Sequence, residues 1–204
     1  MQQDLREMLY NPNDDDIFIE GEGFDGEDLS GLDAIKAEFK DVHFVNCQFD
    51  GCNFDKTSFY ECSFKQCVFT RCRFNDSYFR NAVISGSKLD AALFAGSHIK
   101  DCKITDSFFR YANFTKTVFE RPQISGCDFT QAAMTEIKLV KPSFDADIFS
   151  GADFFKTMLK GVDMSLCEID GIVVSDTGLE LKGLKVSAVQ AVELAKIMGI
   201  KIVG

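Results

Sequence analysis

The chain has 204 residues, of which 22 are Lys or Arg and 32 are Asp or Glu, so its formal net charge at pH 7 is −10. This length predicts one domain, and the acidic balance argues against direct nucleic-acid binding. No long apolar stretch occurs, and no basic segment precedes an apolar one, so we expect no membrane contact and predict a cytoplasmic protein.

The N-terminal segment, residues 1–18, carries a short helical signal. Leu5, Met8 and Leu9 could form one side of a helix that Asn11 and Pro12 end. Residues 1–18 are therefore predicted to cap the structure that follows, because an open β edge would otherwise invite aggregation.

A large apolar residue then recurs at every fifth position, here called i, from Phe39 to Leu184 without a slip. Neither an α-helix nor a straight strand has this period, so the chain is a repeat protein. Position i−2 is usually small, and all eight Cys lie there. Because residues two apart share one side of a strand, i and i−2 should both face an interior. Ten of the 15 Gly occupy i+2, which predicts one corner with positive φ in each pentad.

The pattern A/C/S/T-x-F/L-x-x resembles the pentapeptide-repeat family. The resemblance implies an all-β solenoid, a right-handed quadrilateral β-helix in which four pentads close one coil. Residues 19–186 are assigned to this helix, and we expect about eight coils at a spacing of roughly 4.8 Å. The main core positions are predicted to be Phe44, Phe49, Phe54, Phe59, Phe64, Phe69, Phe74, Phe79, Phe94, Phe109, Phe114 and Phe119.

No group of residues in the sequence forms a catalytic or metal-binding motif. His43 and His98 both occupy i−1 on the outside, and their separation is not a whole number of coils, so they should lie on different faces. The cysteines follow the i−2 column and are interpreted as small interior residues. Cys47 should stack on Cys67, and Cys52 on Cys72. We therefore expect no enzymatic activity, no cofactor and no metal site.

The i−2 column departs from small residues at several places, of which Pro122, Pro142 and Asp147 are the most unusual. Each proline removes a backbone donor, so the ladder is expected to loosen or bulge there. Asp147 would point inward, which is costly unless it is hydrogen-bonded or protonated. A local distortion around residues 142–148 is favoured over a functional kink.

After Leu184 the pattern changes to a helix signal. Ser187 can cap a helix from Ala188 to Met198 that Gly199 ends, and residues 200–203 give a short strand signal. Capping a coil needs one apolar face, so the extra apolar residues of segment 187–204 predict a C2 homodimer. The predicted interface consists of Val189, Val192, Ala195, Ile197, Met198, Ile200 and Ile202.

This C-terminal segment is similar to that of the quinolone-resistance pentapeptide proteins. That resemblance implies binding to type II topoisomerases (DNA gyrase and topoisomerase IV) as a mimic of duplex DNA, with protection from quinolones. The charge distribution fits a mimic of DNA in one part of the chain and not in another. Residues 1–55 carry 15 acids and three bases, whereas residues 56–126 carry six acids and eleven bases. The alternative is a scaffold that docks another protein through a coil face, for which Val68, Phe108 and Ile148 form a candidate stripe.

Overall fold

The structure is a computed structural model that describes residues 4–9 and 17–203. The first described element is helix α1 (Leu5–Leu9), whose Leu5 is buried against the first coil. The Arg6 guanidinium donates a 2.9 Å hydrogen bond to the Ser30 carbonyl at the open end of that coil. These contacts place α1 as a cap, while Asn11 and Pro12, predicted to end the helix, lie outside the described residues.

Two parallel sheets of seven strands form two faces of the solenoid. The first sheet contains, in spatial order, β1 (Phe18–Glu20), β3 (Glu38–Lys40), β5 (Ser58–Tyr60), β7 (Tyr78–Arg80), β9 (His98–Lys100), β11 (Val118–Glu120) and β13 (Lys138–Val140). The second contains β2 (Gly23–Asp25), β4 (His43–Val45), β6 (Ser63–Lys65), β8 (Val83–Ser85), β10 (Lys103–Thr105), β12 (Gln123–Ser125) and β14 (Ser143–Asp145). Each strand pairs in register with the equivalent strand of the next turn, so that Ile19 faces Phe39 and Phe24 faces Phe44.

Isolated parallel bridges form the other two faces. One series runs from the pair Asp28 and Gln48 to the pair Ile148 and Glu168, and the other includes the pair Asp153 and Val173. Every fifth residue from Gly21 to Gly161 has a positive φ, which confirms the corner at i+2. The expected quadrilateral coil of four pentads per turn is therefore confirmed.

The number of turns is smaller than expected. The seven strands of each sheet enclose about six regular turns rather than eight, because residues 158–165 form no strands below β13 and β14. Where pairing resumes, the register is shifted by two residues. Asp163 bridges Lys185, whereas a 20-residue turn would pair it with Gly183. Residues 143–145 keep their pairing with β12, so the distortion expected within residues 142–148 does not occur there; the ladder ends instead at residues 158–165, in the layer that follows.

Pro122 behaves differently from the prediction. It lies between β11 and β12, and both strands keep their pairing to the turns above and below. The ladder at Pro122 is therefore intact. The backbone amides that pair the turns here belong to the strand residues and to Arg121, the corner residue before the proline, so the missing amide of Pro122 costs no ladder bond.

A 3₁₀ helix (Leu179–Leu181) and helix α2 (Ala188–Ile197) complete the chain. Ser187 caps α2 in a reciprocal capping box with Gln190, and Met198 is the C-cap residue. Residues 200–203 form no strand, so that part of the sequence prediction is wrong for the isolated chain. Within the described part of the chain, every helix falls short of the length and apolar character that a bilayer span needs.

Candidate interaction surfaces

Stacked aromatic rings fill the interior of the coil. The ring centroids of Phe54 and Phe74 are 5.0 Å apart, and those of Phe74 and Phe94 are 4.8 Å apart, with nearly parallel planes. All twelve predicted core phenylalanines are buried. The interior voids beside these rings have volumes of about 10 Å³ each. The core is therefore too tightly packed to hold a substrate.

The side chains at position i−2 have a role that sequence reasoning missed. Most of their hydroxyl and thiol groups donate to the carbonyl of a residue at position i in the preceding turn, whereas Cys102 and Ser107 donate to the residue two positions before them. Thr57 bonds the Ala34 carbonyl at 2.6 Å and Thr117 bonds that of Phe94 at 2.7 Å. Small size alone explained this column in the sequence, but the hydrogen bond also explains why Ser, Thr and Cys are frequent there.

The cysteines are buried free thiols. Cys47 contacts Cys67, and Cys52 contacts Cys72, in neighbouring turns. Burial raises the pKa of the Cys62 thiol to about 11 and that of Cys102 to about 12. Because the thiolate is the reactive form, Cys62 and Cys102 are inert near neutral pH.

The two histidines lie in different sheets, His43 in β4 and His98 in β9. His43 shares a 2.9 Å hydrogen bond with the Ser63 hydroxyl, and His98 lies 3.2 Å from a Glu120 carboxylate oxygen. Both contacts are on the outer surface. The described residues contain no cluster of His, Cys, Asp or Glu that could hold a metal ion.

Ion pairs between successive turns neutralise much of the basic middle of the coil. Arg71 binds Asp50 at 2.7 Å, Arg110 binds Asp90 at 2.6 Å, and Arg121 binds Asp101 at 2.7 Å. The partners of each pair lie one turn apart in the sequence, so the coil brings them together. The surplus of bases between residues 56 and 126 is therefore partly offset by acids, some of them from the preceding segment.

Exposed carboxylates lie around the last turn of the coil. Asp163, Glu168, Asp170 and Asp176 are all exposed, and none of them lies within salt-bridge distance of a base among the described residues. Lys185 bridges Asp163 in the backbone ladder, and its charge helps to lower the pKa of that carboxyl. We call these four residues the acidic turn. The acidic turn lies just before α2, at the end of the coil that the sequence predicts to dimerise.

Helix α2 is attached to the coil by its first turn. The Gln190 side-chain amide donates to the carbonyls of Met164 and Cys167 at 2.8 and 2.6 Å, and Leu194 packs against the core. Met198 packs over Gly178 and leaves no room for a Cβ there. These contacts orient the helix across the end of the coil.

The opposite side of α2 is apolar and exposed in the single chain. Of the predicted interface residues, Ala195 is half-buried and the others are exposed, with Val189 at 76% and Ile200 at 58%. Leu166 at the adjoining corner is 71% exposed. This C-terminal end is thus an apolar surface next to the acidic turn.

A second apolar surface lies on the bridged face that begins at Asp28. Val68, Phe108 and Ile148 stand in one column in alternate turns, as the sequence predicted, with Lys88 and Asp128 between them. The neighbouring corner residue Tyr111 is 62% exposed and has a φ of 60°. Its φ is that of the other corners of the coil, so the exposed aromatic ring rather than the backbone makes this corner a candidate contact site.

Two depressions occur on the surface. One, of about 300 Å³, lies beside α1 and is lined mainly by acidic residues and Arg6. The other, of about 320 Å³, lies on the first sheet between Lys40 and Arg80. Their linings mix acids and bases without a nucleophile and a base arranged for catalysis.

The repeats and the fold are both found in known proteins. Residues 37–113 match the family model "Pentapeptide repeat region", and residues 97–135 match "Pentapeptide repeats (8 copies)". No curated protein matches the chain.

Among solved structures, a trypsin-treated variant of QnrB1, a plasmid-mediated fluoroquinolone resistance protein, is 24% identical, with 92% of each chain covered and a TM-score of 0.50. Full-length QnrB1 is 19% identical over 91% of this chain and 100% of that chain, with a TM-score of 0.44. HetL, from the cyanobacterium Nostoc, is 10% identical over 89% and 92%, with a TM-score of 0.19. The chain therefore contains pentapeptide repeats over residues 37–135, and its fold resembles that of QnrB1.

Proposed function

We propose that this protein is a non-enzymatic, cytoplasmic binding protein that mimics duplex DNA on a type II topoisomerase and protects the enzyme from quinolones. The observation that carries the proposal is the acidic turn, whose carboxylates lie beside the exposed apolar side of α2. The tightly packed core supports a function exercised through the surface. The fold likeness to QnrB1 is consistent with it.

Dimerisation would place the charge where a mimic needs it. If two copies meet tail to tail through α2, the two acidic turns flank the two-fold axis. An enzyme surface that neutralises DNA phosphates with Lys and Arg would then meet eight carboxylates near the centre of the rod. The ion pairs within the basic middle reduce the repulsion that the sequence charge alone would cause.

The dimer is tested by Val192→Asp, measured by light scattering after size-exclusion chromatography. A charge on the apolar side of α2 should give monomers, because it would be buried without a partner at the interface. Leu93→Asp, which places the same charge on an exposed position of the coil, is the matched control and should stay dimeric. A monomeric native protein would contradict the proposed assembly.

The activity is tested with DNA gyrase and topoisomerase IV in supercoiling and decatenation assays, with and without ciprofloxacin. We expect protection or inhibition at micromolar protein. Neutralising the acidic turn (Asp163→Asn, Glu168→Gln, Asp170→Asn and Asp176→Asn) should weaken the effect by about tenfold or more if several ionic contacts are lost.

The matched control neutralises four carboxylates at the other end of the coil, Glu22→Gln, Asp25→Asn, Glu27→Gln and Asp33→Asn. This variant carries the same net charge but should keep most of the effect. Equal losses in both variants would mean that net charge, rather than the acidic turn, matters. No effect of the native protein on either enzyme would remove the proposal.

The second candidate function is a scaffold that docks another protein through the surface of Phe108 and Tyr111. The exposed ring of Tyr111 favours it. Aromatic residues of this kind often dominate the binding energy of protein interfaces. If this scaffold is the function, the native protein should have no effect in the topoisomerase assays. A loss of protection in the variant Phe108→Ser with Tyr111→Gly would instead show that a topoisomerase contacts this face.

A further inference from the structure

The coil opens on two of its four faces below β13 and β14. The bridged faces continue, since the Glu168 amide donates to the Asp147 carbonyl at 2.9 Å and the Val173 amide to that of Ala152 at 2.9 Å. Across the two sheet faces, no backbone hydrogen bond joins residues 138–146 to residues 158–166 in the described chain. Residues 158–161 bond to the following layer instead, with the Leu159 amide 3.0 Å from the Glu180 carbonyl.

Solvent reaches the core at this opening. Leu139 and Phe144 are half-buried, whereas every other i residue from Phe39 to Ile169 is buried. The strand edge there also carries unused donors. In the turn above, the Arg121 amide donates to the Val140 carbonyl at 2.8 Å, but the equivalent Lys141 amide has no such partner in residues 158–166. An open edge of this kind is a template for another strand.

The chain contains a segment that matches this edge. Ile200, Lys201, Ile202 and Val203 repeat the pattern of Ile137, Lys138, Leu139 and Val140, with one conservative change. Residues 200–203 are exposed and belong to no sheet, and Val203 is 92% exposed. In this coil like side chains stack on like from turn to turn, as the phenylalanine pairs do. The tail therefore has the side chains of a strand that fits β13.

We propose that the tail of a second copy enters the opening, where its residues 201–203 add to β13 as a parallel strand. Ile202 then stacks on Leu139, while Lys201 faces solvent beside Lys138. Ile200 does not pair with Ile137, because the Thr157 side chain already occupies that position and its hydroxyl accepts a 3.0 Å hydrogen bond from the Ile137 amide. Ile200 therefore lies at the entrance of the opening. The reciprocal exchange closes a C2 dimer, because each copy offers one tail and one edge. This inference rests on the dimer of the proposed function and names the contact that completes it.

The tether of the tail favours a second copy over the same chain. Residue 200 follows Gly199 directly, and Met198 is packed over Gly178. The layers of residues 158–161 and 179–183 lie between that point and β13. In the same chain, the segment between Met198 and residue 200 is too short to reach β13 around these two layers. The tail of a second copy is not tethered there and can approach the edge from outside.

The test is a cross-link between copies. Protein carrying Leu139→Cys and Ile202→Cys is prepared with natural and with heavy isotopes, and the two preparations are mixed, allowed to exchange, and oxidised. Facing residues of adjacent parallel strands lie at a Cα separation that a disulfide can bridge. We expect 139–202 linked peptides of mixed isotope. The control pair Leu139→Cys with Lys201→Cys should give about tenfold fewer, since residue 201 points to the other side.

A second measurement needs no substitution within the coil. Hydrogen exchange of the Lys141 amide is compared between the full chain and a chain ending at Gly199. Removal of the tail should speed exchange by about tenfold or more, because the amide loses a hydrogen-bond partner.

The possible results separate the two proposals. Mixed-isotope links together with tail-dependent protection of Lys141 support the strand exchange. A dimer with neither result overturns the exchange and leaves the α2 dimer standing, and links of a single isotope type would place the tail on its own chain and overturn the exchange as well. A monomeric native protein defeats both.

Discussion

The regular turns between residues 38 and 136 differ from the final part of the coil in strand pairing, because β13 and β14 pair with the turn before them but with no strand after them. Phe74 in the middle and Phe144 near the end occupy the same position of the repeat. Phe74 is buried between two stacked rings, whereas Phe144 is half-buried. Around Phe144 the i−2 positions hold Ile137, Pro142 and Asp147, none of which is a small donor. A large apolar residue therefore does not by itself maintain the ladder.

The i−2 hydroxyl and thiol groups link each turn to the one before it. Where Thr117 donates to the Phe94 carbonyl, the turns stay at strand spacing on all four faces. Ile137 and Pro142 lack that donor, yet β13 and β14 keep their pairing with the turn before them. The two faces open on the other side, where no strand follows β13 and β14. The comparison teaches that Phe74 is buried because paired turns cover it on both sides, whereas Phe144 has a paired turn on one side only.

The largest expected effect comes from truncating a large residue in each region. Phe74→Ala should lower the free energy of unfolding by about 3–5 kcal/mol, because it leaves a cavity between stacked rings. Phe144→Ala should cost about half as much, since solvent already reaches that side chain. Urea unfolding of both variants gives the comparison. Equal losses would contradict the difference in packing between the two regions.

A pH dependence of stability should arise from Asp147. Burial raises the pKa of this carboxyl to about 6, although the Cys127 and Asp145 amides donate to it at 2.8 and 3.0 Å. A folded-state pKa above the unfolded value favours the folded state at low pH, and this contribution is lost as the pH rises through about 6.

The measurable quantity is the difference in unfolding free energy between the native protein and Asp147→Asn. Relative to the variant, the native protein should lose about 2.4 kcal/mol between pH 4 and pH 7.5, at about 1.36 kcal/mol per unit of pKa difference, because the unfolded carboxyl is already partly ionised at pH 4. Asp163→Asn, at an exposed carboxyl, is the control. A pH-independent difference for Asp147→Asn would show that Asp147 does not titrate in this range.

The smallest expected effect concerns one i−2 hydroxyl. Thr117→Val keeps the shape of the side chain but removes the donor to the Phe94 carbonyl, which leaves a buried acceptor without that bond and should cost about 1–2 kcal/mol. Thr115→Val alters a half-buried position on the outer side of the same turn and should be nearly neutral. If both variants had the same stability, the hydrogen bond between turns would not contribute.

Much of the architecture follows from short-range pattern. The five-residue period predicted the coil, the buried phenylalanines and the corner at i+2, because each depends on strand alternation and turn geometry within one pentad. Ser187 and Gly199 likewise marked the two ends of α2. The sequence overcounted the turns because Leu159 and Met164 keep the period, although their backbone no longer pairs with the turn above.

The candidate surfaces were harder to predict. Asp50 and Arg71 are remote in sequence but paired in space, so charge totals over segments could not show that the basic middle is partly neutralised. The acidic turn became visible only when ion pairs had been assigned. The resemblance of residues 200–203 to residues 137–140 is present in the sequence. It indicates a contact only because the structure leaves one edge of β13 unpaired.

The sequence by itself determined that the chain coils with one corner in each pentad, which side chains face inward, and where the terminal helix begins. These features depend on contacts between near neighbours in the chain, and each pentad repeats the same signal. The tertiary structure alone decided which charges pair and where the coil opens. Those outcomes depend on the distance and size of side chains one full turn apart, which meet only when the chain has folded.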